Sequence, residues 1–365
     1  MKNAAVILGL SLLTLFSCQN NKTKKVGSVL PLTGNSAEWG DMARKGMNVI
    51  LEEYNANNVE KVEIIFEDSE GKTSKAVSAI NKLINLDKTP IVLGGILSST
   101  TLAMAPTANT KETVLIGVTC SSPAVTDAGD FVYRVWPSDL YEGKVFAEWV
   151  FNHNYKRIGI IYMKNDYGEG LKEAFKKRLI ELGGEVPNEA FFTDQDKNYR
   201  NIITKVNSKV DAIYIVGYYE NTSLIINQIR ALDKNIQLFG ASSSIQNKMF
   251  EIADSTASNG FIAALVNDYD IENLTERQKE FANKFKEKYG VEPDWAAVHG
   301  ADAISVALDA ISKHSTGADI KKYIDTKKSF DGISSDLTFD ANGDVVNKPI
   351  TIKIVKNNSF QNYSD

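Results

Sequence analysis

The chain has 365 residues, 43% of them apolar and 24% charged, with a formal charge of −5. That length suits two ordinary domains and that composition is globular, which argues against global disorder. The mild acidity argues against a nucleic-acid partner, which requires a basic surface.

Lys2 precedes an apolar run from Ala4 to Leu10, which continues to Phe16 with two hydroxyl residues; after Ser17-Cys18 the chain turns polar from Gln19 to Lys25. A positive start, a short apolar core and a small residue before a cut site predict a secretory signal over 1–17, too short to span a bilayer. With Cys18 directly after Ser17, the pattern resembles the lipobox of bacterial lipoproteins, although Phe16 is bulkier than the residue usual there. The resemblance implies removal of the signal, lipidation of Cys18 and a lipid-anchored protein of the cell envelope, on the periplasmic or extracellular face of a membrane. An ordinary cleaved signal with a chance cysteine is the alternative, and it exports the chain equally. Cleavage takes the formal charge to −6. Residues 18–25 read as a polar tether, and no later segment approaches the roughly 18 apolar residues of a membrane helix.

From Val26 onward, short β-branched runs alternate with helical patterns. Strands are predicted at 26–30, 62–66, 90–93, 113–117, 158–162, 212–216, 237–240 and 350–355. Helices are predicted at 41–54, where Ala43, Met47, Ile50, Leu51 and Tyr54 share a face, and at 169–182, where Leu171, Phe175 and Leu179 do. Further helices cover 141–151 and the Phe281, Phe285, Tyr289 series. Alternation on this scale predicts an α/β fold of βαβ units with doubly wound parallel sheets. The series restarts at Arg157-Ile158, which predicts two similar lobes. The chain crosses between them through Arg134-Val135-Trp136-Pro137, where proline stiffens a hinge and Trp136 reads first as hinge packing.

No catalytic constellation accompanies these elements. His153, His299 and His314 are isolated, and no nucleophile elbow, phosphate loop or dinucleotide fingerprint occurs. Gly168-Glu169-Gly170 has two of that fingerprint's glycines but no predicted strand directly before it. Asp340 and Asp344 flank a turn without enough ligands for calcium. No enzymatic activity, cofactor or metal is expected. Cys120 reads as a small buried packing residue.

Hydroxyls and aromatics instead gather at strand-to-helix corners, where open α/β sheets bind ligands. Ser98-Ser99-Thr100-Thr101 and Thr119-Cys120-Ser121-Ser122 follow two adjacent strands, with hydroxyls suited to capping a helix and holding a polar group. Across the hinge, Tyr167 and Tyr218 stand at the matching corners as an amphipathic lid.

Together with Pro31-Leu32-Thr33-Gly34, Trp39-Gly40 and Gly300-Ala301-Asp302-Ala303, these segments resemble the periplasmic solute-binding proteins of branched-chain amino acid ABC transporters. The resemblance implies the type I periplasmic-binding-protein fold, two lobes joined by a three-strand hinge. It implies lobe one at 26–135 plus 264–337 and lobe two at 136–263 plus 338–365. It also implies a small ligand, an amino acid or related amide or carboxylate, held by Trp39, Ser98, Thr119 and Ser121 and covered by Tyr167 and Tyr218. An acid of that family near Gly240 is replaced here by Ser242, which is carried over to the site; Glu220 is a candidate substitute. The implied function is capture by hinge closure and delivery to a transporter permease. A solute-sensing lipoprotein signalling to a membrane partner is the alternative.

Overall fold

The computed structural model describes residues 23–266, 269 and 273–364. The expected signal over 1–17 and Cys18 lie outside them.

Lobe one opens with β1 (Lys24–Leu30), α1 (Ala37–Asn57), β2 (Val62–Asp68), α2 (Thr73–Asn85), β3 (Ile91–Gly94), α3 (Ser98–Thr110), β4 (Val114–Gly117) and β5 (Val132–Arg134). The five strands form one parallel sheet in the order β2-β1-β3-β4-β5. After a crossing at 135–138 come α4 (Asp139–Asn152), β6 (Ile158–Met163), α5 (Asp166–Glu181), β7 (Glu189–Phe192), α6 (Arg200–Val206) and β8 (Ala212–Val216). Then follow α7 (Tyr219–Leu232), β9 (Gln237–Gly240), the single turns α8 (Met249–Ile252) and α9 (Ser255–Ser258), and β10 (Ile262–Val266). The order β7-β6-β8-β9-β10 repeats the winding of the first sheet.

The chain then returns to lobe one with α10 (Glu276–Tyr289), α11 (Trp295–Lys313), α12 (Gly317–Lys327) and the small antiparallel sheet β11 (Ser329–Asp331), β12 (Asp336–Phe339), β13 (Val345–Val346). It crosses a third time to β14 (Ile350–Lys356) and β15 (Ser359–Asn362), which extend the second sheet antiparallel beside β10. The return of α11 is fixed by glycine. A Cβ on Gly46 of α1 would stand 1.9 Å from the Ala297 carbonyl oxygen, and one on Gly300 would stand 2.3 Å from that of Ala43. Only bare backbone lets the two helices approach so closely.

The eight predicted strands are all present. The sequence pattern does not predict β5, β7, β10, β15 or the small sheet, which are short or lack a β-branched run. Lys24 and Lys25 belong to β1 rather than to a tether: the Lys24 amide donates to Lys61 O at 3.1 Å and its Nζ to Ile311 O at 2.7 Å. Two lobe limits also differ from expectation. Residues 264–266 continue β10 in the second sheet. Residues 338–346 pack on lobe one, with Phe339 against Tyr133 at 5.7 Å and Asp344 holding the buried Arg134 through both carboxylate oxygens at 2.6 and 2.7 Å.

A strand does precede Gly168-Glu169-Gly170, since β6 ends at Met163. The glycines serve packing in α5: Gly168 backs onto the Met163 carbonyl and Gly170 onto Pro123 of the opposite lobe. Cys120 is buried, and burial pushes its thiol up, away from reactivity. Among the described residues no helix is long and apolar enough to cross a membrane, and no cluster suited to a metal ion occurs.

Candidate functional site

Each sheet reverses its winding between its first and third strands, and the ligand crevice of such a sheet lies beyond the carboxyl ends at that point. In lobe one these ends feed the turn before α1 and the Gly95–Ser98 corner. In lobe two they feed the starts of α5 and α7. The Asn165 side chain caps α5 by accepting from Gly168 N at 2.8 Å, which sets Tyr167 on the first turn. The two switch points face each other across a cleft of about 470 Å³, mouth included.

The structure brings all seven expected side chains to that cleft: Trp39, Ser98, Thr119 and Ser121 from lobe one, and Tyr167, Tyr218 and Ser242 from lobe two. It adds Glu142, Ser243, Trp136 and Trp295, with Ile96 and Leu97 as apolar floor. Trp136 therefore both packs the hinge and lines the site. Asp294 caps α11 and so places Trp295 at its first position. That N-cap pattern is visible in the sequence, but it follows a loop rather than a strand and so lies outside the strand-to-helix corners that mark a ligand crevice.

Aromatic rings make a continuous wall. Trp136 meets Trp295 at 5.6 Å, Trp295 meets Trp39 at 5.5 Å, Trp39 meets Tyr218 at 5.1 Å, and Tyr218 stacks on Tyr167 at 5.6 Å. Such rings offer broad apolar contact at little entropic cost. The wall spans both lobes, so it is complete only when they are together.

The hydroxyls are less free than their number suggests. Thr119 Oγ1 donates to Ile96 O at 3.1 Å, and Ser121 Oγ to Asp139 Oδ2 at 3.0 Å. Ser243 Oγ donates to Gly217 O at 2.9 Å, so the 2.5 Å contact with Tyr167 is donated by the phenol. Ser242 Oγ, which accepts from Val266 N at 3.1 Å, gives its one hydrogen to Glu142 Oε2 or Ala264 O at 2.8 and 3.2 Å. Ser242 thus orients Glu142. Ser98 differs: its Oγ accepts from the amides of Ser121 and Ser122 at 3.2 and 3.1 Å, which leaves its hydrogen to donate. The expected side-chain cap of α3 is not made. Leu97 holds the N-cap position, while Thr100 and Thr101 turn their hydroxyls back to its carbonyl.

Two buried carboxyls sit on the first turn of α4, whose dipole favours negative charge there. Burial raises the Asp139 carboxyl well above its ordinary range, with the neighbouring Glu142 adding to the effect. Burial also pushes Glu142 up to about 7, against the opposing hydrogen bonds from the Ser242 amide and hydroxyl. Glu220, the expected substitute acid, lies at the outer mouth rather than on the inner wall. The inner acid is Glu142, which a sequence reading takes for an ordinary first-turn helix residue.

Comparison with known proteins agrees with this architecture. The family model "Periplasmic binding protein" matches residues 23–359. The chain is 30% identical over 251 residues, 67% of each chain, to the Leu/Ile/Val-binding protein BraC3 of Rhizobium johnstonii. It is 24% identical over 339 residues to the leucine-, isoleucine-, valine-, threonine- and alanine-binding protein of Pseudomonas aeruginosa, covering 90% of this chain and 89% of that one. Among solved structures, a leucine binding protein from Thermotoga maritima superposes with a TM-score of 0.86 at 29% identity, covering 94% of this chain and 98% of the other.

Proposed function

This chain belongs to the periplasmic binding protein family, and from that premise we propose that it is the extracytoplasmic receptor of an ABC importer for a small amino acid of the branched-chain class. The observation that carries this reading is the cleft between two opposed switch points, lined by hydroxyls, a buried carboxyl and five aromatic rings. Ser98 and the open start of α3 suit a carboxylate. Thr119 and Ser121 stand beside them, and Trp39, Tyr167 and Tyr218 cover an apolar side chain. Ser242 takes part by fixing Glu142. A solute touching both lobes stabilises the closed arrangement by population shift and presents it to the permease. The names of the relatives support delivery to a transporter over the signalling alternative.

The experiment is a thermal-shift panel of amino acids, their amides and small carboxylates on the soluble chain from Gln19. Leucine, isoleucine or valine should raise the melting temperature in proportion to the logarithm of concentration. A panel with no stabilising member contradicts the reading.

The same proposal includes an anchor at Cys18, motivated by the signal-like run before it. Cys18→Ala should move the protein from the membrane to the soluble fraction of cells; retention in the membrane would place the anchor elsewhere.

A further inference from the structure

We propose that Glu142 is the counter-charge for an ammonium group on the solute, so that the cleft selects α-amino acids over carboxylic acids, hydroxy acids and amides of the same shape. This rests on the solute-receptor reading above and deepens it.

The hydrogen-bond arithmetic of the cleft separates acceptors from donors. The hydrogens of Thr119, Ser121, Tyr167, Ser242 and Ser243 are committed to protein acceptors, so these groups can offer a solute only lone pairs. Glu142 is a further acceptor. It reaches the cleft wall as a buried carboxyl held at Oε1 by the Ser242 amide at 3.0 Å and at Oε2 by the Ser242 hydroxyl at 2.8 Å. A carboxylate has about four acceptor positions, and two are filled. A wall of acceptors around a carboxylate is matched by a group with several hydrogens and a positive charge. An ammonium has three such hydrogens; a hydroxyl or ether does not supply the charge.

The donors include the Ser98 hydroxyl, with its hydrogen free, and the start of α3 without a side-chain cap. Such donors suit a carboxylate. Donors and acceptors share one small space with Trp39, Trp136, Trp295 and Ile96, where the buried indole N–H groups of Trp39 and Trp295, without protein partners, are further donors. The complementary solute is a zwitterion with a compact apolar tail. Charge on the solute also resolves the energetic difficulty of Glu142, because a buried carboxylate costs several kcal/mol unless an opposite charge joins it.

The test is calorimetric titration at neutral pH of the wild type, Glu142→Gln and Ser242→Ala with two probes, leucine and isocaproate, the latter being leucine without its ammonium. Wild type should prefer leucine by at least about tenfold. Glu142→Gln should lose leucine affinity by about ten- to a hundredfold, the scale of a charge-assisted bond, while isocaproate binds as well as before or better. Ser242→Ala, which releases Glu142 without removing it, should shift both probes in the same directions by less; it gives the same comparison should Glu142→Gln not fold. Equal leucine binding by wild type and Glu142→Gln, or equal binding of both probes by wild type, overturns the ammonium assignment and leaves the receptor reading standing. Wild type that binds neither probe, with a silent thermal panel, overturns both.

Discussion

Glu142 trades stability of the empty protein against recognition. Its carboxyl has an ordinary value of 4.5 and is pushed up to about 7 in the fold by burial. A raised carboxyl binds protons more tightly in the folded chain than in the unfolded one. Its contribution to stability is therefore fully present below about pH 4.5 and is lost as pH rises through about 7. Asp139 beside it is raised as well, so removing Glu142 weakens that slope rather than abolishing it. Empty Glu142→Gln should melt close to wild type in acid and above it on the alkaline side, even as it binds leucine more weakly. Parallel melting curves against pH would show that Glu142 does not titrate in this window. Ser98 carries the opposite combination. It lines the cleft and also holds two backbone amides, so its removal harms the fold as well as the proposed site.

At the level of elements, the site depends on how helices start. Asn165, Ser138 and Asp294 cap α5, α4 and α11, and each places a cleft residue within the first turn: Tyr167, Glu142 and Trp295. The Ser98 and Tyr167 corners were legible because hydroxyls and a tyrosine followed recognisable strands. Glu142 was not, because an acid in a first turn is the commonest pattern of helix electrostatics, and its burial comes from Ser242, a hundred residues away in the chain. Some missed strands are too short for a period to show: β5 and β11 have three residues and β13 two. The α1–α11 crossing allows a direct check. Gly46→Ala places a methyl against the Ala297 carbonyl and should cost about 1–3 kcal/mol or more in urea unfolding. An unchanged midpoint would mean that the helices can separate without loss.

The molecule as a whole is two copies of one winding pattern facing each other, and the three crossings make relative motion possible. The lobes meet through the aromatic pair Trp39–Tyr218 at 5.1 Å, through Gly170 against Pro123, and through a few polar contacts. Lys248 pairs with Glu38 at 2.7 Å, Gln246 reaches Asp294 at 3.3 Å, and the Asp139 amide donates to Ser121 O at 2.8 Å. An exposed pair such as Lys248–Glu38 contributes about 1 kcal/mol or less, and a solute that touches both lobes adds to the preference for the closed form. The double winding was readable from the restart at Arg157. The lobe limits were not, because 264–266 and 338–346 are assigned by pairing and packing across the chain rather than by local pattern.

Closure itself is open to direct measurement. Lys72 and Lys197 are exposed on opposite lips of the outer mouth, and Cys120 is buried away from labelling reagents. Spin labels on a Lys72→Cys, Lys197→Cys chain beginning at Gln19 report the lip-to-lip distance by pulsed dipolar spectroscopy. Saturating leucine should gather a broad, longer distribution into one shorter, narrower peak. A distribution that stays the same with bound leucine would contradict the view that the two lobes shut on their solute.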